Sequence, residues 1–368
     1  MTSKIVISGY YGFQNVGDEG VLYSMIRTLR AEHPDLSITV LSKDPEKTAE
    51  AYGVKAANRW KLREIVRAVK ECDLFISGGG SLLQDVTGPR SILYYLGVVY
   101  LAKLLRKKLF FYAQGVGPVT GALGKWLIKK VVNGVDLVTV RDEASRDLLL
   151  QLGVQKPRII VTADPVLGLY AREMDRGPGI KVLANNGVPL GEGAPPLVGI
   201  SVRSWRNYQG YKKVLAALGD YLARKGYQVV FFPFHFPADV ACCREVAKLM
   251  EAPSTVIRDR MDVVEMLGAL GELHLLVGMR LHALIMAFVM GVPLVGISYD
   301  PKVDSFLKDA GLPLAGRVET LDFGVLEKEV DKVLWDREGI KGRMEEAAAE
   351  MRSRARETGR LAGELLKR

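Results

Sequence analysis

Short apolar runs alternate with amphipathic stretches along almost the whole chain. Lys4–Gly12 (KIVISGYYG) reads as a buried strand entering a glycine-rich turn, helical spacing follows from about Asp18 to Glu32, and Ser37–Ser42 (SITVLS) reads as a second strand. The rhythm continues with a helix over 61–71, a strand in DLFISGG, a helical stretch over 91–106, a strand in KLFFYAQGVG, a further helix and the strand of DLVTVRD. Alternation of this kind predicts a parallel sheet with helices on both faces.

Around Gly177–Pro196 the chain turns rich in Gly and Pro, the composition of a linker or an excursion between domains. A second series of short strands follows in LVGISVR, YQVVFFPFH, STVIRD, LHLLVGMRLHA and PLVGISYDP, separated by helical segments at about 210–225, 238–250, 262–270 and 282–290. The predicted organisation is an N-terminal Rossmann-like domain over 1–176, a linker over 177–196, a C-terminal Rossmann-like domain over 197–323 and a charged helical tail over 324–368. At 368 residues the chain exceeds one comfortable core. The fold class is α/β, with two doubly wound domains facing a cleft in the manner of the B-type glycosyltransferases (GT-B-like), where ligands sit at the carboxyl ends of the strands.

Composition narrows the classes without choosing a function. With 48% hydrophobic and 25% charged residues and no low-complexity tract, the whole chain is expected to fold as an ordinary globular protein. Cys72, Cys242 and Cys243 offer neither a disulfide framework nor a CxxC pair and read as small core residues. The longest apolar run, Ile92–Ala102, falls well short of the roughly 20 residues a membrane span needs. The start, MTSKIVISGYYG, lacks the pattern of a secretory signal, and a cytoplasmic location is expected. A formal charge of +9 favours anionic partners, and it does not choose among phosphorylated metabolites, lipid head groups and nucleic acid.

The chemistry-bearing residues lie after the strands. Glycine-rich strand-to-helix turns occur at Gly9–Gly12 with Asn15-Val16-Gly17-Asp18, and at Ser77-Gly78-Gly79-Gly80-Ser81. Such turns let backbone N–H groups approach a ligand, and tight helix–strand packing is an equal reading of them. Neither is a GxGxxG, and no GxxxxGK[ST] is present, so nucleotide cofactors are not indicated. Arg280 and His282 follow the strand LHLLV and open a helix, and Lys302 follows the next strand. Arginine clamps a carboxylate or phosphate with two bonds, and imidazole exchanges a proton near neutral pH. Arg141, Arg203 and Arg206 also follow strands, and several cations converging on one cleft suit an acidic substrate needing acid catalysis. His33, His235 and His274 are discounted by context, and neither paired-His nor HExxH metal spacing occurs.

YYGFQNVGDEG, SGGGSLLQD, YAQGVGP, TVRDE, the ADP of Thr162–Pro165, SVRSW, GMRLHA and SYDPK occur in order. Together they resemble the polysaccharide pyruvyltransferase family over residues 5 to about 305, and most closely its CsaB-like group of bacterial ketal-pyruvyltransferases in cell-wall polysaccharide synthesis. The resemblance implies phosphoenolpyruvate as co-substrate, with no cofactor and no metal. It places Arg141, Arg280, His282 and Lys302 at donor-binding and catalytic positions, with Arg141, His282 and Lys302 as the catalytic set; Leu281 and the strand-end arginines Arg203 and Arg206 complete the expected donor-binding set. Asn15, Asp18, Glu19, Gly79, Gly80, Ser81 and Gln84 fall to the acceptor, with Asp18 or Glu19 as a base. The implied acceptor is a lipid-diphosphate-linked ManNAc–GlcNAc disaccharide, ketalised at the 4,6-hydroxyls of ManNAc with release of phosphate.

A lipid-linked acceptor would bring the enzyme to the anionic inner leaflet as a peripheral protein, and SILYYLGVVYLAKLLRKK with Lys125, Trp126, Lys129 and Lys130 supplies suitable residues; an ordinary helix packed on the sheet is the competing reading. The helical tail is expected to pack across one domain or to support a homodimer. The rival enzyme is a GT-B glycosyltransferase using a nucleotide sugar. A non-catalytic carbohydrate- or lipid-binding module is disfavoured by the intact cation set, and nucleic-acid binding by the absence of any recognised motif.

Overall fold

Parallel strands covered on both faces must be apolar throughout, and the first strand obeys this: in β1 (Lys4–Ser8), Ile5, Val6 and Ile7 are all buried. The computed structural model describes residues 3–85 and 89–367. The chain forms two compact units, one of Met1–Phe13, Asp18–Gly168 and Met351–Arg368, the other of Gln14–Gly17 and Leu169–Glu350.

In the first unit β1 is followed by α1 (Val16–Glu32), β2 (Ser37–Ser42), α2 (Pro45–Tyr52), β3 (Lys55–Asn58), α3 (Leu62–Glu71), β4 (Leu74–Ser77), β5 (Gly80–Leu83), α4 (Pro89–Leu104), β6 (Lys108–Val116), α5 (Ala122–Val132), β7 (Leu137–Val140), α6 (Glu143–Gln151) and β8 (Arg158–Val161). The strands run in the order β3-β2-β1-β4-β6-β7-β8, with β5 added beside β6. β1 lies in parallel register with two neighbours, Ile5 opposite Ile38 on one side and Leu74 on the other. The order reverses between β1 and β4, which opens a crevice at their carboxyl ends. One face of this sheet is covered by α3, α4, α5 and α6, whose Val69, Leu96, Val99, Ile128, Val132 and Leu149 join one buried cluster.

The second unit contains α7 (Gly177–Asn185), β9 (Leu197–Ser201), α8 (Gly210–Arg224), β10 (Gln228–Phe231), α9 (Ala238–Leu249), β11 (Thr255–Val256), α10 (Val263–Leu270), β12 (Leu273–Gly278), α11 (Leu281–Val289), β13 (Leu294–Ser298), α12 (Pro301–Asp309), β14 (Leu314–Arg317) and α13 (Phe323–Trp335). Its parallel sheet runs β11-β10-β9-β12-β13-β14, reversing between β9 and β12. Both units therefore have the doubly wound order of the Rossmann fold, as the alternation of elements predicts.

The differences from the sequence reading have local causes. α2 and β3 escape it because Pro45–Asn58 has no apolar run, although Asp44 caps α2 through Lys47 N and Pro45 opens it. The Gly/Pro-rich segment expected as a linker carries α7, which packs on α10. A Cβ on Gly179 would stand 2.6 Å from Glu265 O, and one on Gly268 2.9 Å from Arg176 O. Glycine there permits two helix backbones to touch, which a composition count cannot tell from a linker. The tail forms α14 (Arg337–Lys367), and its last turns belong to the first unit. There Thr358 Oγ1 meets Thr162 Oγ1 at 3.0 Å, Arg354 donates to Thr162 O at 2.8 Å and Lys108 donates to Leu365 O at 2.9 Å.

Leu361 is buried in this docking. Leu361→Ala is predicted to cost about 3 kcal/mol and to lower the first unit's thermal midpoint by about 6–12 °C in scanning calorimetry. Glu357→Ala, on the exposed side of the same helix, should leave that midpoint nearly unchanged.

Candidate functional site

In the second unit, the chain ends of four adjacent strands carry the polar residues. Arg203 follows β9 and Arg280 follows β12, on either side of the strand-order reversal; His235 follows β10, and Tyr299 and Lys302 follow β13. Arg280 sits at the N-cap of α11 in an extended conformation. Its guanidinium grips Asp239 with two bonds, Nε to Oδ2 at 2.9 Å and Nη2 to Oδ1. Asp239 is only 1% exposed and also accepts from the backbone N–H of Phe234 at 3.1 Å and of His235 at 2.9 Å. A buried carboxylate with this many donors holds both the loop after β10 and the arginine in one arrangement.

His282 stands in the first turn of α11, against residues that the sequence places far away. Gln14–Gly17 belong to this unit: Val16 N donates to Phe234 O at 2.9 Å, Phe236 N to Gln14 O at 3.1 Å, and Asn15 forms an antiparallel bridge with His235. Asn15 Oδ1 accepts from Gly17 N at 3.1 Å, closing the turn. A Cβ on Gly17 would stand 2.8 Å from His282 Cγ and closer still to Nδ1. Only glycine leaves room for the imidazole, so the QNVG segment sets where the ring lies.

Arg203 Nη1 donates to the Tyr299 hydroxyl at 3.2 Å, and its guanidinium lies over the rings of Tyr299 and Trp205. Arg206, with φ +46°, is exposed and lies over the same Trp205. Lys302 pairs with Asp300, the N-cap of α12, at 3.3 Å. The side chain of Leu281 is buried, leaving its backbone to any ligand. His235 is held below the usual imidazole range, chiefly by burial and next by the Arg280 cation, against the opposing pull of Asp239.

The first unit builds a separate polar cluster at its own reversal. Arg141, after β7, is buried and anchored on Asp164 at 3.3 Å, Ser81 Oγ at 3.1 Å and Asp142 at 3.5 Å. A Cβ on Gly115 would stand 2.7 Å from its Nη2. Gly80 takes φ +98°, and a Cβ there would approach Asp18 Oδ1 to 3.4 Å, so Asp18, Gly80, Ser81 and Arg141 share one neighbourhood. Gly79 is closely packed instead: a Cβ would stand 2.8 Å from Val21 Cγ1 and 3.1 Å from Pro165. Glu19 closes the first turn by accepting from Gly12 N at 2.7 Å and the Tyr52 hydroxyl at 2.6 Å. Gln84 lies just beyond β5, half-buried.

The sequence places Asn15 beside Asp18, yet the structure assigns Asn15 to the second unit and Asp18 to the first. Asp239 and His235 of the second unit, and Arg59 of the first, carry no sequence signal strong enough to select them. Asp239 lies inside an amphipathic helix, and His235 reads as part of an apolar strand end. Arg59 follows the unrecognised β3; it is buried among Phe13, Trp60, Tyr94 and Tyr95 and donates to Gly9 O at 2.6 Å. Among the described residues, no group of three His, Cys, Asp or Glu side chains is placed to hold a metal ion.

The family model for polysaccharide pyruvyl transferase matches residues 15–301. The amylovoran biosynthesis protein AmsJ of Erwinia amylovora is 23% identical over 95% of this chain and 96% of its own. Among solved structures, the UDP-GlcNAc 2-epimerase of Neisseria meningitidis bound to UDP-GlcNAc superposes with a TM-score of 0.65 at 13% identity, covering 100% of both chains. A glycosyltransferase from Rickettsia africae gives 0.66 at 13% identity, covering 100% of this chain and 98% of its own. At such identities these two structures share the fold, which is GT-B-like, and nothing further.

Replacing Arg280 by Gln removes the nearby cation, so the His235 pKa is predicted to rise toward its ordinary value in an NMR titration of the imidazole signals. In the intact protein the folded pKa lies below the unfolded one, so His235 contributes stability above the unfolded value. That contribution falls as pH drops toward the folded value and is gone beneath it.

Proposed function

The chain belongs to the polysaccharide pyruvyl transferase family, and from that premise we propose that it moves the pyruvyl group of phosphoenolpyruvate onto the 4,6-hydroxyls of a β-ManNAc residue in a lipid-diphosphate-linked cell-wall polysaccharide precursor. Pyruvyl transfer in polysaccharide synthesis follows from the family and from AmsJ. The donor, the acceptor and the residue roles are our reading. The observation that carries it is the cation set at the reversal of the second sheet, where Arg280 is fixed by buried Asp239 beside His282.

In this reading Arg280, Arg203 and Lys302 neutralise the donor's carboxylate and phosphate, with the N–H groups opening α11 and α12 pointing the same way. Leu281 contributes its backbone, and Arg206 lies at the exposed margin. No other cofactor is required. His282 gives a proton to the methylene carbon, whose π electrons form the new C–H bond, and positive charge develops at the enol-ether carbon. One sugar hydroxyl attacks that carbon, its proton passing to the phosphate as the C–O bond to phosphate breaks. The second hydroxyl closes the ketal, and its proton restores His282. Acceptor recognition is assigned to Asp18, Ser81 and Gln84 of the first unit, with Arg141 contributing charge. Asp18 or Glu19 is assigned as the base that relays the first hydroxyl's proton to the departing phosphate.

The test is phosphate release from phosphoenolpyruvate with and without a ManNAc-β-GlcNAc-diphosphate-lipid analogue, followed by mass analysis of the acceptor. Acceptor-dependent release, with a mass gain of one pyruvyl ketal, is predicted for the wild type and should collapse in His282→Ala. Gly17→Ala, which displaces the imidazole, should lose about 10²-fold in kcat at nearly unchanged thermal midpoint. Release that is undiminished in His282→Ala would remove the assigned acid.

A further inference from the structure

We propose that the outer surface of α4 and α5 is a docking face for an anionic lipid bilayer. The two helices pack side by side in the layer that covers one face of the first sheet, so their outer surfaces face the same way. The apolar residues on those outer surfaces are exposed. On α4, Leu93, Tyr100 and Leu104 are 44%, 50% and 62% exposed, and on α5 Leu123 and Trp126 are 56% and 57% exposed. At 100° per residue, Leu93, Tyr100 and Leu104 fall within about 40° of one another and form a single stripe. A buried core face cannot account for residues that point away from it, and large apolar groups gathered on one exposed face mark an interaction surface.

Charge selects the occupant. Neither helix contains an Asp or a Glu, in a chain that has 42 of them. Lys103 closes α4, Lys125 opens α5 and Lys129 and Lys130 end it. Lys103, Lys129, Lys130 and Lys156, together with Trp126, line a surface pocket of about 600 Å³ whose walls include no carboxylate among the described residues. Apolar side chains and an indole bordered by lysines are what an interfacial surface presents to acyl chains and anionic head groups. No helix among the described residues is long and apolar enough to cross a membrane, so the contact is with the surface of the bilayer. None of these residues is assigned to pyruvyl transfer, so the docking face stands apart from that assignment.

The experiment is sedimentation of the full-length protein with phosphatidylcholine vesicles, with and without about one third phosphatidylglycerol, alongside light scattering of the protein alone. Binding to the anionic vesicles, weak binding to phosphatidylcholine alone and loss of binding at high salt are expected. Each lysine near the surface contributes about fivefold, so Lys103→Glu/Lys129→Glu/Lys130→Glu should weaken binding about 100-fold or more. Leu104→Ser/Trp126→Ser should weaken it independently. All five side chains are exposed, and unchanged thermal midpoints confirm that the variants fold. Equal binding to both vesicle types, or no effect of either variant, overturns the proposal. Absence of vesicle binding together with a dimer that these variants dissociate would reassign the face to a second copy of the chain. Phosphate release from phosphoenolpyruvate with a water-soluble acceptor reads the chemistry separately, so either claim can fail alone.

Discussion

Asp239 is the carboxylate on which the second unit's site depends. It is buried, and a buried charge is tolerated only where partners replace the water it has lost. Here Arg280 supplies two bonds and the loop after β10 supplies two backbone N–H groups. The same loop offers Phe234 O and Phe236 N to residues 14–16, and that segment carries Gly17 onto His282. One carboxylate thus fixes the arginine directly and the imidazole through two further contacts. Loss of a partner from such a pair costs about 3–5 kcal/mol because the remaining charge is stranded.

The two units solve the same electrostatic problem alike. Each places an arginine after a strand at the carboxyl end of its sheet, and each anchors it on a buried acid: Arg280 on Asp239, and Arg141 on Asp164. Pairing lowers the net charge and holds the guanidinium in a fixed direction. A site built this way presents preoriented N–H groups to an anion, whereas unpaired cations in that position would repel one another and lie loosely. Lys302 is paired too, with the half-buried Asp300.

Most of the fold is legible in the sequence because parallel strands buried on both faces leave continuous apolar runs, as in Ile5–Ile7 and Leu294–Ile297. Helix ends are legible to within about two residues in α4 and α8. Two edge strands are not: β3, with sequence KAAN, carries no apolar run, and β8 offers only the three-residue run Ile159–Val161. The glycines near 177–179 looked like a linker because composition does not distinguish freedom from close contact. Cations after strands were visible as candidates from spacing alone. Asp239 and Gly17 were not, since what each does depends on residues brought beside it by the fold, across 41 positions for Asp239 and Arg280.

The central claim is that Arg280, held by Asp239, receives the donor. Calorimetric titration of wild type and Asp239→Asn with phosphoenolpyruvate and, separately, with UDP tests it most directly. The account predicts binding of phosphoenolpyruvate by the wild type, binding weakened about tenfold or more in Asp239→Asn, and no heat with UDP. Tight binding of UDP without binding of phosphoenolpyruvate, or full affinity for phosphoenolpyruvate in folded Asp239→Asn, would contradict it.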